Sequence, residues 1–273
     1  MIVTFFRNTS DDICATIPCM TNVVLVCLHG WGGSKESFTE LRAALEGTEM
    51  EIFTPDLPGF GTEPEPDRPW TNDDYAEWTE QWIRRQKAED RRQKFFLLGH
   101  SHGGRIAVKL ALRGTLPIHH LFLCAPAGIR HGRHFKRMAG LILAKTGKTV
   151  MGAAGLQKHS EAARRFLYKL VRVHDYEKAS PRMQQTLLNV TREDFRPLVS
   201  GVNIPTDIFW GTDDGMTPIS DSKIFHREIE GSELHVYEGI RHGIHRDKAK
   251  EIAEIIRLRL GIHRDQNNTD KDA

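Results

Sequence analysis

The sequence is poor in cysteine, with four residues in a chain of 273, namely Cys14, Cys19, Cys27 and Cys124. None of them forms a C-x-x-C pair, and the H-x-H-x-D-H pattern of dinuclear metal centres is absent, so we expect no metal site. Cys27 and Cys124 lie in apolar runs, which predicts buried, reduced thiols in strands. Cys14 and Cys19 are close enough in sequence to meet in a hairpin, but their pattern does not predict a disulfide.

The sequence also lacks long apolar runs and a charge excess of either sign. No segment approaches the roughly 20 apolar residues that a membrane-spanning helix needs. The N-terminal segment MIVTFFRNTSDD has one basic residue and no long apolar core, which is not typical of a secretory leader. The formal net charge of +2 comes with no nucleic-acid-binding motif, so we expect no nucleic-acid partner. These absences predict a soluble, cytoplasmic protein, and they leave its oligomeric state open.

Residues 94–106, KFFLLGHSHGGRI, predict a strand, a tight turn and a helix in immediate succession. Such a turn forces its central residue, Ser101, into a strained backbone conformation and leaves no room for a Cβ atom two positions before or after it. Gly99 and Gly103 stand at those two positions. The turn would expose the Ser101 hydroxyl beside the N-terminus of a helix, whose amides favour a developing negative charge. The segment therefore predicts a nucleophilic serine.

A second glycine-rich turn, H-G-W-G-G at residues 29–33, follows the continuous apolar run 23–28. Such a run is typical of a strand that is covered on both faces. Glycines in the turn would let the backbone pass close to a bound carbonyl group. Other strands are predicted at 51–55, 95–98, 120–125, 204–210 and 234–237, and helices at 38–45, 73–87 and 247–260. Residues 2–6 and 13–17 suit a hairpin at a sheet edge.

With these two turns the sequence resembles the α/β-hydrolase superfamily, along nearly the whole chain. The resemblance implies an α/β fold with a mostly parallel central sheet, flanked by helices and carrying an inserted helical cap. It implies that Ser101 is the nucleophile. It also implies that Trp31 and His102 donate their backbone N–H groups to the oxyanion of a tetrahedral intermediate. A turn of the D-x-x-G-x-G type begins at Asp56, which we interpret as a structural carboxylate that fixes the turn.

Two later turns match the positions of the acid and the base in this family. The segment 211–218, GTDDGMTP, matches a G-x-x-D-x-x-x-P turn, which makes Asp214 the carboxylate that orients the histidine; Asp213, one step out of register, is the alternative. His242 stands at the base position, in the loop after the last predicted strand. The competing histidines are His226, His235 and His245. The order Ser101, Asp214, His242 along the chain is the order expected for this fold.

Residues 128–200 differ from the rest of the chain in composition, with 15 Lys and Arg against 5 Asp and Glu. They lack strand patterns and contain amphipathic helical stripes, so we expect them to form a helical cap, or lid, over the site. Leu141 and Phe166 lie on two of these stripes and are the predicted substrate-binding residues. The basic residues suit a solvated outer face; attraction of anionic substrates or acidic lipid headgroups is the alternative. The predicted organisation is a core of residues 1–127 and 201–262, a cap of 128–200 and a disordered tail of 263–273.

These features predict a serine hydrolase that cleaves carboxylic esters of small or medium acyl groups through an acyl-enzyme, with no cofactor. Lactones, including acyl-homoserine lactones, fall within this class. The presence of a serine at residue 101 excludes the superfamily's epoxide hydrolases and haloalkane dehalogenases, which carry a carboxylate there. Two alternatives remain: a C–C bond hydrolase acting on aromatic ring-cleavage products, and a non-catalytic receptor for a small molecule.

Overall fold

The computed structural model describes residues 23–86, 94–131 and 179–261. Several sequence predictions lie outside these ranges. They are the N-terminal hairpin with Cys14 and Cys19, the side chains of Leu141 and Phe166, most of the predicted cap, and the C-terminal tail.

The described strands form one six-stranded sheet in the order β2-β1-β3-β4-β5-β6, and every pairing among them is parallel. The strands are β1 (Val23–Leu28), β2 (Met50–Phe53), β3 (Lys94–His100), β4 (Ile118–Cys124), β5 (Thr206–Gly211) and β6 (Glu233–Tyr237). All six residues of β1 and all six of β5 are buried, because helices cover both faces of the sheet. The predicted α/β fold with a parallel central sheet is thereby confirmed.

The helices connect the strands and supply the two covering layers. They are α1 (Thr39–Ala44), α2 (Asn72–Arg85), α3 (His102–Arg113), α4 (Pro181–Arg192), α5 (Ile219–Glu228), α6 (Ile244–Asp247) and α7 (Ala249–Leu260), with short 3₁₀ helices at Lys35–Phe38 and Val199–Gly201. Helix α2 begins after Thr71, whose hydroxyl accepts the N–H of Asp74 while the Asp74 carboxylate accepts the N–H of Thr71. None of the helices in the described ranges is long and apolar enough to span a lipid bilayer.

The helix predicted at 38–45 corresponds to α1, which is preceded by a 3₁₀ helix capped by Ser34. The helix predicted at 247–260 is preceded by α6 and interrupted at Lys248, whose backbone (φ −125°, ψ 31°) leaves the helical region. The break separates α6, which follows the loop that carries His242, from the longer α7.

The parallel arrangement decides where the site lies. Because all described strands run in the same direction, their carboxyl ends share one edge of the sheet, and the loops that follow β1, β3, β5 and β6 meet there. These four loops carry Trp31, Ser101, Asp214 and His242.

Candidate active site

Ser101 is the turn residue between β3 and α3, and its backbone has φ 52° and ψ −110°. Few residues other than glycine adopt a positive φ, and such strain costs about 1–3 kcal/mol at sites where it is held by the surroundings. A Cβ atom on Gly99 would lie 2.5 Å from the carbonyl oxygen of Gly103, and one on Gly103 would lie 2.0 Å from that of Leu28. The expectation that both glycines are required by sterics is therefore confirmed.

Backbone hydrogen bonds hold this turn against β4. The N–H of Ser101 donates to the carbonyl oxygen of Cys124 at 3.1 Å. The Ser101 carbonyl oxygen accepts the N–H groups of Gly104 at 3.1 Å and Ala127 at 3.0 Å. Cys124 is a buried, free thiol, as is Cys27, which confirms the prediction for these two cysteines. Hydrogen bonds at both its N–H group and its carbonyl oxygen thus hold the backbone of Ser101 in place.

The turn at residues 29–33 lies directly against Ser101. A Cβ atom on Gly30 would come within 3.1 Å of the Ser101 Cβ. Within the described part of the chain, no acceptor takes the backbone N–H of Trp31 or of His102. His102 is the first residue of α3, where the N–H has no partner inside the helix and the helix dipole is positive. This arrangement leaves two amide donors free beside the serine.

Asp214 and His242 are joined by a hydrogen bond of 2.7 Å between Oδ2 and Nδ1. The Asp214 carboxylate also accepts the N–H groups of Met216 at 2.8 Å and Thr217 at 2.9 Å, and the Thr217 hydroxyl at 2.8 Å. Burial by itself would raise the pKa of Asp214, but the hydrogen bonds from His242 and Thr217 outweigh it and hold the pKa below its usual value. The carboxylate is therefore ionised near neutral pH and orients the imidazole.

The adjacent carboxylate, Asp213, has different surroundings. It is exposed, its side chain accepts a hydrogen bond from the Thr212 hydroxyl at 3.0 Å, and its N–H donates to Ile240. The register of the 211–218 turn therefore brings Asp214 to His242 and leaves Asp213 at the surface.

The competing histidines also have other surroundings. His245 is buried, and its ring centroid lies 3.8 Å from that of His100. Burial, followed by the nearby charges of Arg246 and His242, lowers the pKa of His245 to about 3. His226 contacts Ser232, and His235 binds Asp207. Among the described residues, His242 alone of these candidates binds Asp214.

Two further residues fix the turns beside the site: Asp56 fixes the turn that begins at residue 56, and His29 fixes the turn at 29–33. Asp56 accepts the N–H groups of Lys35 at 2.6 Å and Thr62 at 2.9 Å, which bears out its interpretation as a turn-fixing carboxylate. The other residue is His29, whose Nδ1 donates to a carbonyl of its own turn at 2.8 Å and whose Nε2 accepts the N–H of Leu57 at 3.0 Å. In the sequence, only the position of His29 next to the glycines indicated that it would fix this turn.

Aromatic side chains line the side of the site next to this turn. Trp31 packs against Phe60 and His102, with ring centroids 4.9 Å and 5.5 Å away, and Tyr75 packs against His102 at 4.8 Å. Burial, followed by the Arg105 charge, lowers the pKa of His102, so its ring is neutral. Met183 of α4 packs against the nearby Gly59. The described part of the wall is therefore largely apolar.

A cluster that could hold a metal ion lies at the opposite edge of the sheet, near the starts of β5 and β6. It consists of Asp207, Glu233 and His235. The guanidinium of Arg259 binds both Asp207 oxygens, at 2.8 and 2.9 Å, and also contacts Glu233. Because this positive charge already occupies the carboxylates, the cluster is an ion-pair network of the fold.

Known proteins resemble this chain over most of its length. A model of the Hydrolase_4 family, described as serine aminopeptidase, S33, matches residues 20–249. A pimeloyl-[acyl-carrier protein] methyl ester esterase of Neisseria meningitidis is 26% identical over 245 residues, covering 84% of this chain and 90% of that protein. A probable 1-acylglycerol-3-phosphate O-acyltransferase of rice is 34% identical over 145 residues, which are 46% of this chain and 32% of that protein. The chain thus spans about a third of the length of this plant relative.

Solved structures share the fold. A lipase-esterase related protein of Clostridium acetobutylicum superimposes with a TM-score of 0.64 at 20% identity, covering 88% of this chain and 95% of that one. The family match spans all the turns described above, from the one at 29–33 to the loop of His242. The chain therefore belongs to the Hydrolase_4 (serine aminopeptidase, S33) family and has the α/β-hydrolase fold.

Proposed function

We propose that this protein is a serine hydrolase that cleaves carboxylic esters of small or medium acyl groups, lactones included, with Ser101, His242 and Asp214 as its catalytic residues. The observation that carries the proposal is the 2.7 Å hydrogen bond from His242 to a buried Asp214, on loops that meet at the strained turn of Ser101. A serine hydroxyl is a weak nucleophile near neutral pH, and an oriented imidazole is the group that activates it.

In the proposed reaction the Ser101 oxygen attacks the ester carbonyl carbon while Nε2 of His242 takes the hydroxyl proton. Asp214 holds the proton on Nδ1, which leaves Nε2 free to accept. The backbone N–H groups of Trp31 and His102 stabilise the oxyanion of the tetrahedral intermediate. The intermediate expels the alcohol, which receives its proton from His242. Water, activated by the same histidine, then releases the acid from Ser101. All the groups involved are protein groups, so the proposal includes neither a metal nor a cofactor.

The proposed substrate is a small molecule with an apolar acyl group. The aromatic side chains beside the turn at 29–33 favour such a group over a charged one. The likeness to an esterase over 84% of the chain supports the ester class. Leu141 and Phe166 remain the residues proposed to contact the acyl chain from the cap, and the cap boundaries remain those predicted from the sequence.

Turnover of p-nitrophenyl esters of increasing acyl length, acyl-homoserine lactones and a ring-cleavage dienone tests the proposal. We expect turnover of esters or lactones, with a maximum at short or medium acyl length. In Ser101→Ala we expect a loss on the order of 10⁴-fold in kcat without unfolding, because the nucleophile acts together with the base. A variant that keeps most of the activity would refute the assignment of Ser101. Turnover of the dienone alone would identify the C–C hydrolase, and tight retention of an intact ligand without turnover would identify the receptor.

A second candidate is acyl transfer, in which an alcohol takes the place of water as the acceptor. The similarity to the plant acyltransferase, which extends over 46% of this chain, favours acyl transfer. The acyl-enzyme on Ser101 would be the same, so the two functions differ only in the second step. Incubation with an acyl donor and 1-acylglycerol-3-phosphate separates them: formation of the diacyl product in preference to free acid supports transfer, and free acid alone supports hydrolysis.

A further inference from the structure

His100 is the last residue of β3 and directly precedes Ser101, yet its side chain points away from solvent and is buried. Its Nε2 atom lies 2.9 Å from the backbone carbonyl oxygen of His242. A carbonyl oxygen can only accept, so Nε2 carries the proton and donates it. This hydrogen bond joins the end of β3, next to the proposed nucleophile Ser101, to the loop that carries the proposed base His242.

Packing on two sides fixes the His100 ring. On one side the ring of His245, from α6, lies 3.8 Å away at an interplanar angle of 35°. On the other side, Gly30 approaches so closely that a Cβ atom there would lie 2.9 Å from His100 Nδ1. Burial, followed by the neighbouring His245 and His242, lowers the pKa of His100, and Arg246 acts in the same direction. The ring is therefore neutral, with Nδ1 unprotonated and Nε2 as the donor.

His242 is consequently held at two points. Asp214 fixes its imidazole through Nδ1, and His100 fixes its backbone through the carbonyl oxygen. The side-chain bond sets the orientation of the ring, and the backbone bond sets the distance between the loop and the end of β3. A displacement of about 1 Å between reacting groups costs on the order of 10²-fold in rate.

We infer that His100 is a positioning residue for the proposed base: its Nε2–H holds the His242 loop at the working distance from Ser101. The inference rests on the proposed function. It assigns no contact between His100 and substrate. It predicts that loss of the donor lowers kcat and leaves KM nearly unchanged, because the ester binds elsewhere in the site.

The test compares His100→Gln with His100→Met. The two side chains are similar in length and volume, but only glutamine has an N–H donor that can reach the His242 carbonyl. We expect His100→Met to lose on the order of 10- to 100-fold in kcat with KM within about 3-fold, and His100→Gln to retain most of the wild-type kcat. Equal losses in both variants, or a rise in KM alone, would overturn the inference.

Two further measurements separate positioning from stability and from the proposed function itself. Ile256→Ala makes a cavity in the buried face of α7, away from the site, and controls for a general loss of stability. Labelling of Ser101 by a fluorophosphonate requires the nucleophile and the base but no ester substrate, so its rate reports on these two groups alone. Failure of the wild type to label or to turn over any ester refutes the proposed function. Normal wild-type labelling with an equal rate in His100→Met refutes only the role of His100.

The tautomer can be measured in the wild type, without any variant. In ¹⁵N-histidine NMR spectra we expect His100 to be neutral with the proton on Nε2 near pH 7, and that proton to be protected from exchange with solvent. A proton on Nδ1 would overturn the inference, because Nε2 could then donate nothing to His242.

Discussion

At the scale of single residues, Asp213 and Asp214 have the same chemistry and opposite surroundings. Asp214 is buried and accepts four hydrogen bonds, from His242, Met216 and two groups of Thr217. Asp213 is exposed and accepts one side-chain bond, from its neighbour Thr212. A difference of one position in the turn thus decides which carboxylate can orient an imidazole.

Asparagine substitutions at these two positions should therefore have very different effects. Asp214→Asn removes the charge that stabilises the imidazolium and permits the wrong tautomer of His242, so we expect a loss on the order of 10²- to 10⁴-fold in kcat. Asp213→Asn changes an exposed group, and we expect kcat within about 3-fold of wild type. Steady-state kinetics on one ester give both values, and a larger loss in Asp213→Asn would shift the assignment of the acid by one residue.

At the scale of elements, the junction of β3 and α3 depends on close backbone approach. Gly103 lies against the carbonyl oxygens of Leu28 and His29, at the end of β1. The tight crossing brings the first turn of α3 to the turn at 29–33. Arg105, in the same first turn of α3, is buried and donates to the carbonyl oxygen of Val190 near the end of α4. The same helix thus contacts both the turn at Ser101 and α4, which lies in the C-terminal part of the predicted cap.

Gly103→Ala should disrupt this crossing. The added Cβ would lie 2.0 Å from a backbone oxygen of β1, and no rotamer change can relieve a clash with main chain. We expect a loss of several kcal/mol in the free energy of unfolding, or a failure to fold, which urea denaturation measures. Gly215→Ala is the control, since a Cβ there meets nothing within 4 Å. Equal stability of the two variants would contradict the steric argument.

The predicted cap can be tested as an element through its apolar stripes. If Leu141 and Phe166 contact the acyl chain, Leu141→Ala and Phe166→Ala should change the preference among acyl lengths more than the rate on acetate esters. The reason is that each buried methylene contributes about 0.8 kcal/mol to the binding of a longer chain. Ratios of kcat/KM across the ester panel measure the effect. Equal changes at every length would assign these side chains to the stability of the cap.

At the scale of the whole molecule, an ion-pair network ties the far edge of the sheet together. The Asp207 side chain is fully buried and binds His120 of β4 at 2.7 Å, His235 of β6 at 2.6 Å and Arg259 of α7. Burial would raise the pKa of Asp207, but these partners outweigh it and hold the pKa far below its usual value. The network therefore joins three strands and the last helix, at the edge opposite the candidate active site.

The stability supplied by Asp207 should depend on pH. Since its pKa is lowered by folding, the contribution is fully present above the unfolded-state pKa of about 3.9 and is lost as the pH falls below that value. We expect Asp207→Asn to lower the free energy of unfolding by about 3 kcal/mol at pH 7, because it leaves Arg259 and two histidines without the shared acceptor. Urea denaturation from pH 7 to pH 3 should show the difference shrinking in acid; a constant difference would contradict this origin.

The sequence by itself determined the local features. Apolar runs specified the strands because a parallel sheet is buried on both faces, and Gly99 and Gly103 marked the turn at Ser101 because no other residue fits there. The order of motifs supplied the hypothesis for Asp214 and His242. Each of these motifs spans only a few consecutive residues, and over such short segments local sterics and periodicity decide the conformation.

Only the tertiary structure decided the contacts between distant segments. His100 and His242 are 142 residues apart, and Asp207 gathers His120, His235 and Arg259 from three other elements. A buried histidine has no signature in the sequence that names its partner, since hydrogen bonding and burial follow from the register of strands and the path of loops. The choice between Asp213 and Asp214 has the same origin, because the two differ only in which one the folded turn directs toward His242.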